Sequence, residues 1–194
     1  MEGKHSPVFF DMEFTGLHQR TTPISIGVTN LAGDQFYAEF IDYDKSQVNS
    51  WIKENVISKL KFGMVEASPV WTKQGTISVE GVGNVSEYCF KGERKDVAGP
   101  LKEFILMNGS AIMVSDVLAY DWILFCELLG GTMKLPKEIY YIPIDISSMF
   151  YAYGVDPDVG REEFSKMQSH QKDKHCAIWD AMVIRECYLK LVNK

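Results

Sequence analysis

"VFFDMEFTGL", residues 8–17, places two acids, Asp11 and Glu13, inside a run of Val, Phe and Met. In a β-strand, residues i and i+2 project from the same face, so both carboxylates leave one side of an otherwise apolar segment. Burying two like charges without a partner is costly. A divalent cation is the first candidate for neutralising them. Working outward, "PVFFDMEF", "PISIGVTN" and "DQFYAEFID" read as three strands in succession, with "LAGD" as the turn between the last two. Such short connections predict an antiparallel meander.

The pattern then changes. Residues 46–60 carry helical spacing, with Val48, Trp51, Ile52, Val56 and Leu60 along one stripe. In residues 61–90, "WTKQGTISVEGVGN" reads as a hairpin or a long loop. From "DVAGPLKEFILMNG" onward the order is helix, strand "AIMVS", helix "YDWILFCELLG" and strand "IYYIPID", with Asp145 capping a helix at "ISSMFYAYG". A polar stretch from Asp156 to Lys174 leads to the last helix, "CAIWDAMVIRECYLKL", whose packing stripe is Ala177, Ala181, Ile184, Tyr188 and Leu191. Strands first, then alternating helices and strands, predict one α/β domain over residues 1–194 with a mixed sheet flanked by helices.

Composition narrows the function. The chain has 194 residues, 46% hydrophobic and 24% charged, enough for a substantial core. No apolar run approaches the ~18 residues of a membrane span, and the first ten residues lack a signal-peptide core. A cytoplasmic protein is expected. Cys89, Cys126, Cys176 and Cys187 form no CxxC pair and are read as reduced, buried thiols rather than metal ligands. A net charge of −6 argues against non-specific nucleic-acid binding, though not against an enzyme that reaches nucleic acid through bound metals.

Among the 26 acids, Asp42/Asp44 and Asp156/Asp158 repeat the acid-x-acid pattern. Their surroundings are polar, and "GVDPDVGREE" departs from an EF-hand loop at Gly160 and Arg161, so both pairs read as solvated. Asp121 and Asp180 share the oddity of Asp11 and Glu13. Leu124, Phe125 and Leu128 lie on the face of Asp121, which fits either a first-turn acid favoured by the helix dipole or a site residue. Asp116, ending "AIMVSD", suits a turn. Asp180 points along the packing stripe of the last helix. His175 precedes it by five residues, roughly 140° away on a continuous helix, so the two converge only if His175 lies on the loop before the helix. His18 and His170 have no such partner and read as surface residues.

Together, Asp11-x-Glu13 with "FTGL", "YDW" with Phe125, and "HCAIWDA" resemble the three motifs of the DEDDh 3′-5′ exonucleases, which include oligoribonuclease and RNase T. The motifs run in order from residue 11 to 180. "PISIGVTN" and "SWIKENVISKL" are most similar to a compact bacterial and phage branch of exoribonucleases. Two positions depart from the pattern: Cys176 follows the His where Asn is usual, and "VLAYD" lacks a frequent Asn.

The resemblance implies an RNase H-like fold and a 3′-5′ exonuclease that releases nucleoside 5′-monophosphates. Asp11, Glu13, Asp121 and Asp180 would hold two Mg²⁺ or Mn²⁺ ions, with Asp11 bridging, and His175 would be the general base. Phe14, Thr15, Gly16 and Leu17 would flank the terminal nucleotide, Leu17 as a wedge, against the plainer reading of a turn with one packed Leu. Arg161, Lys166, Lys172 and Lys174 are candidates for backbone phosphates. The branch resemblance alone favours single-stranded or 3′-overhang RNA, and the family implies a homodimer. The alternatives are a 3′-5′ exodeoxyribonuclease of the same fold and an inactive module that binds nucleic-acid ends.

Overall fold

A computed structural model describes residues 5–62, 70–79, 82–167 and 174–193. Its centre is a seven-stranded mixed sheet. Strands β1 (Ser6–Phe14), β2 (Pro23–Asn30) and β3 (Gln35–Phe40) form the expected antiparallel meander. Asn30 closes the β2–β3 turn by accepting the Gly33 main-chain N–H on its carbonyl and that of Asp34 on Oδ1. The segment read as a hairpin or a loop is a hairpin, β4 (Val70–Val79) with β5 (Gly83–Gly92), and β5 joins the sheet parallel to β3. On the other side β6 (Ala111–Ser115) and β7 (Ile139–Asp145) extend the sheet in parallel, giving the order β4-β5-β3-β2-β1-β6-β7.

Alternation along β1 divides the sheet's two faces. Val8, Phe10 and Met12 pack with helices α2 (Arg94–Leu106) and α3 (Ala119–Leu128) in the largest apolar cluster. Phe9, Asp11 and Glu13 face the other way. There Phe9 meets Val114 of β6 and Ile184 of helix α6 (Ala177–Val192). Ala177, Ala181, Ile184 and Leu191 are buried as the stripe predicts. Helix α4 (Ile146–Ala152) packs on the far part of α6, and Asp145 caps it by accepting the Ser147 N–H at 3.1 Å.

Two stretches differ from their sequence reading. Residues 46–60 hold only the short helix α1 (Ser50–Asn55), between 3₁₀ turns at Lys45–Gln47 and Ile57–Lys59. Asn49 starts α1 by accepting the Ile52 N–H, and Ile52 and Val56 then face Ile24. Trp51, one residue from Ile52, is turned about 100° away and stays 52% exposed. The polar stretch before α6 contains a further short helix, α5 (Arg161–Ser165).

Gly27 fixes where α6 sits. It lies on β2 directly across from Asp11 on one side and Tyr37 on the other. A Cβ at Gly27 would stand 2.2 Å from the Ile178 nitrogen and 2.3 Å from the Ala177 carbonyl oxygen. Those are backbone atoms, which cannot rotate aside. Gly27→Ala should therefore lower the unfolding free energy by about 2 kcal/mol or more. Gly75→Ala, with nothing within 4 Å of its Cβ, should stay within about 0.5 kcal/mol of wild type. Urea unfolding followed by tryptophan fluorescence compares them, and equal stability of the two variants would remove the close approach.

Candidate active site

The first turn of α6, set against Gly27, brings Asp180 over β1. One carboxylate oxygen from each of Asp11, Glu13 and Asp180 lies within 4.8 Å of the others. They line a cavity of about 440 Å³ that Asp121 and His175 also border. All five residues singled out as catalytic thus meet in one place.

Each is held by a local feature. Strand β6 ends at Ser115 while β1 continues to Phe14, so the distal edge of β1 has no strand beside it. The Met12 N–H on that edge donates to Asp121 Oδ1 at 2.9 Å. This bond draws the first turn of α3 to the strand that bears Asp11 and Glu13. Asp121 is accordingly buried, with one oxygen committed to β1. At α6, the N-cap residue Cys176 contributes no side-chain cap. The main-chain dipoles of Cys176 and His175, just before the helix, lower the Asp180 pKa in part. His175 stands on the turn before the helix, as convergence with Asp180 requires, with φ of 59°. Left-handed backbone at a non-glycine residue costs about 1–3 kcal/mol and is kept only when the surroundings hold it. The Trp51 ring sits edge-on to the imidazole, 5.1 Å between centroids.

Burial is the leading cause that raises the acids' pKa values. Glu13 is pushed up to about 8, by burial first and then by Asp180 and Asp121. Asp121 and Asp180 each reach about 7, with burial again the main cause. Asp11 is displaced well above its ordinary value by burial and by Asp121, Asp180 and Glu13. His175 moves the other way, held below its usual range by burial and the charges of Lys59 and Lys174. Such a set of crowded oxygen donors suits a hard divalent cation, which favours the ionised carboxylates and removes their repulsion.

Other groups at the cavity take roles that the sequence did not show. Asp116 is no mere turn residue: Arg161 grips it through Nε at 2.7 Å and Nη2 at 3.0 Å, and Ser147 Oγ donates to it at 2.6 Å. Arg161 Nη1 donates to the Val159 carbonyl and its guanidinium lies over Phe150, so this arginine is occupied as a wall rather than held out for a phosphate. Glu162 of α5 adds another acid. Only its place on a helix no apolar pattern announced could have flagged it. Lys174 borders the acids, but Lys166 lines a different cavity, of about 510 Å³, with Gln35 and Arg185. Lys172 and His170 lie outside the described residues.

The loop after β1 is held from behind. Thr15 is buried, and its hydroxyl oxygen accepts the Thr22 N–H at 2.9 Å while donating to Gln47 Oε1 at 2.5 Å. The Gly16 N–H donates to Thr21 Oγ1 at 3.0 Å. Phe14 faces the cavity and stacks on Tyr120, with 5.6 Å between ring centroids, whereas Leu17 projects 77% exposed. The four cysteines are free thiols, three of them buried. Among the described residues, no helix is long and apolar enough to cross a membrane.

No family model matches the chain. It is 25% identical over 175 residues to a protein named 3′-5′ exoribonuclease in two strains of Mycobacterium tuberculosis, covering 89% of this chain and 85% of the relative. Among solved structures, the Neurospora crassa Pan2 catalytic unit (protease and nuclease domain) overlays with a TM-score of 0.49 at 13% identity, covering 100% of this chain and 28% of that one.

The shifted acids give a stability profile with a defined sign. Groups with folded pKa values above their unfolded ones bind more protons when folded, so stability falls as pH rises through about 7 to 8. His175, with its pKa lowered, acts oppositely, but only below its unfolded value of about 6.5. In EDTA, Tm should therefore fall between pH 6.5 and 8.5, and saturating Mn²⁺ should flatten the fall. Asp180→Asn should raise Tm in EDTA at pH 8 and shrink the Mn²⁺ gain, while the exposed Asp156→Asn should do neither. A lower Tm for Asp180→Asn in EDTA would make Asp180 a structural acid alone.

Proposed function

We propose that the chain is a divalent-metal-dependent 3′-5′ exonuclease of DEDDh type that acts on RNA. The observation that carries this reading is the convergence of Asp11, Glu13 and Asp180 within 4.8 Å, with Asp121 and His175 on the same cavity. The exoribonuclease name of the mycobacterial relative, over most of both chains, supports the choice of reaction and of RNA. The antiparallel β1–β3 meander beside parallel β6 and β7 supports an RNase H-like reading of the sheet.

Asp11, Glu13, Asp121 and Asp180 would hold two Mg²⁺ or Mn²⁺ ions, with Asp11 placed between the other acids. Bound there, the ions would supply a nucleophile at neutral pH and take up the charge that develops on the phosphate. The chain's own residues do the rest. Asp121, fixed to the Met12 N–H through Oδ1, has Oδ2 left for coordination. Burial, Lys59 and Lys174 hold the His175 pKa down, which favours the neutral ring that a general base requires. Its unprotonated ring nitrogen can accept the proton of the attacking water, and the left-handed turn sets the ring at the cavity mouth. Phe14 and the exposed Leu17, on a loop braced by Thr15, would meet the terminal nucleotide.

The test is digestion of 5′-labelled strands with Mg²⁺ or Mn²⁺. Linear RNA with a free 3′ hydroxyl should shorten from that end and release 5′-monophosphates. A 3′ phosphate should slow it sharply, whereas a blocked 5′ end should not. Equal cutting of circular RNA would make the protein an endonuclease, and strand retention without cutting would make it an end-binding module. His175→Ala should lose about 10²–10⁴ in turnover and still bind Mn²⁺. Asp11→Ala should lose more, along with Mn²⁺ binding.

A further inference from the structure

Val117 has φ of 45°, and among the described residues it alone is β-branched with left-handed backbone. That conformation is an outlier for a β-branched side chain and persists only where the surroundings impose it. Packing does not impose it, since Val117 is 67% exposed. Polar contacts do. The Val117 N–H donates to Asp145 Oδ1 at 3.1 Å, and the same oxygen accepts the Ser147 N–H in α4. One residue earlier, Asp116 is gripped from two elements. Arg161 of α5 donates to its Oδ2 through Nε at 2.7 Å and to its Oδ1 through Nη2 at 3.0 Å. Ser147 Oγ donates to Oδ1 at 2.6 Å. Arg161 is itself fixed, with Nη1 donating to the Val159 carbonyl at 2.7 Å and Nη2 also reaching Ser147 Oγ at 2.8 Å.

The strained residue stands directly ahead of the site. The Ala119 N–H donates to the Val117 carbonyl at 2.8 Å, and α3 starts at Ala119 with no side-chain cap from Leu118 to fix its direction. Asp121 lies in that first turn and accepts the Met12 N–H at 2.9 Å. We propose that Arg161 is a positioning residue: by clamping Asp116 it holds Val117 left-handed, and this turn aims α3 so that Asp121 meets β1 beside Asp11 and Glu13. Both members of the clamp line the catalytic cavity, so a change in the turn is felt there first. A guanidinium suits the task because its two parallel donors fix the angle of a carboxylate as well as its distance, which an ammonium cannot do.

The test pairs loss of the clamp with relief of the strain. In EDTA, Arg161→Met should speed amide exchange at Met12, read by NMR, about tenfold or more as the bond to Asp121 loosens. In saturating Mn²⁺ its kcat on single-stranded RNA should fall about ten- to a hundredfold, with KM within about threefold of wild type. Asn adopts left-handed backbone readily, so adding Val117→Asn should recover most of both losses. Val117→Asn alone should raise Tm and leave kcat within about twofold of wild type. Arg161→Lys, which keeps the charge but not the fork, should resemble Arg161→Met, and it carries the comparison if Arg161→Met does not fold. Unchanged Met12 exchange on loss of Arg161, no recovery in the double variant, full activity in Arg161→Lys, or a lower Tm for Val117→Asn would each overturn the proposal. The turnover arm rests on the exonuclease reading; the exchange and Tm arms do not. Should wild type cut no RNA while Met12 exchange follows the expected pattern, the exonuclease reading falls and the placing of Asp121 by Arg161 stands.

Discussion

The first turn of α6 rests on the bare backbone of Gly27, and the site follows from that contact. Gly27 lies across from Asp11, so whatever presses on it is delivered to the acid face of β1. The residues pressing on it are Ala177 and Ile178, two or three positions before Asp180. A helix held a side chain's width farther out would leave Asp180 beyond reach of Asp11 and Glu13. Small residues along the same helix face continue the close approach, with Ala177 and Ala181 fully buried. Geometry set by an absent Cβ is stiff, because backbone meets backbone and neither can repack.

Proximity of this kind works against the folded state unless something compensates. Burial and mutual repulsion together lift the acids far from their ordinary pKa values. The protein offers partial remedies around the rim. The Met12 N–H serves Asp121, Arg161 neutralises Asp116, and the charge of Lys59 acts on Glu13 and Asp180. Among the described residues, no cation acts on Asp11, whose pKa burial and the neighbouring acids raise. A site with this imbalance suits a bound cation, and perturbed groups of this sort concentrate where function is.

How much of this was legible from the chain depends on the range of each signal. Period-two alternation in β1 exposed Asp11 and Glu13 as acids on an apolar strand, and period 3.6 did the same for Asp180. The bounds of β6 and β7 could be read from turn residues alone. His175 was legible only as half of a condition, since the sequence cannot show that the residue before a helix adopts φ of 59°. Lys59 and Glu162 carried no signal, and Arg161 read as a phosphate candidate rather than as the partner of Asp116, because these pairings join residues far apart in the chain. Trp51 misled for a physical reason: helical spacing marks a stripe, but a six-residue helix buries too narrow a face to include it.

The buried, crowded carboxylates on the Gly27 side of β1 suit a divalent-cation site. Anomalous diffraction from crystals grown with Mn²⁺, measured at the manganese edge, addresses it without reference to any substrate. Anomalous peaks are expected within ~2.0–2.3 Å of carboxylate oxygens from Asp11, Glu13 and Asp180, with Asp121 bordering the same ions. Crystals showing no peak at these acids, or manganese bound only at solvated pairs such as Asp156 and Asp158, would contradict it.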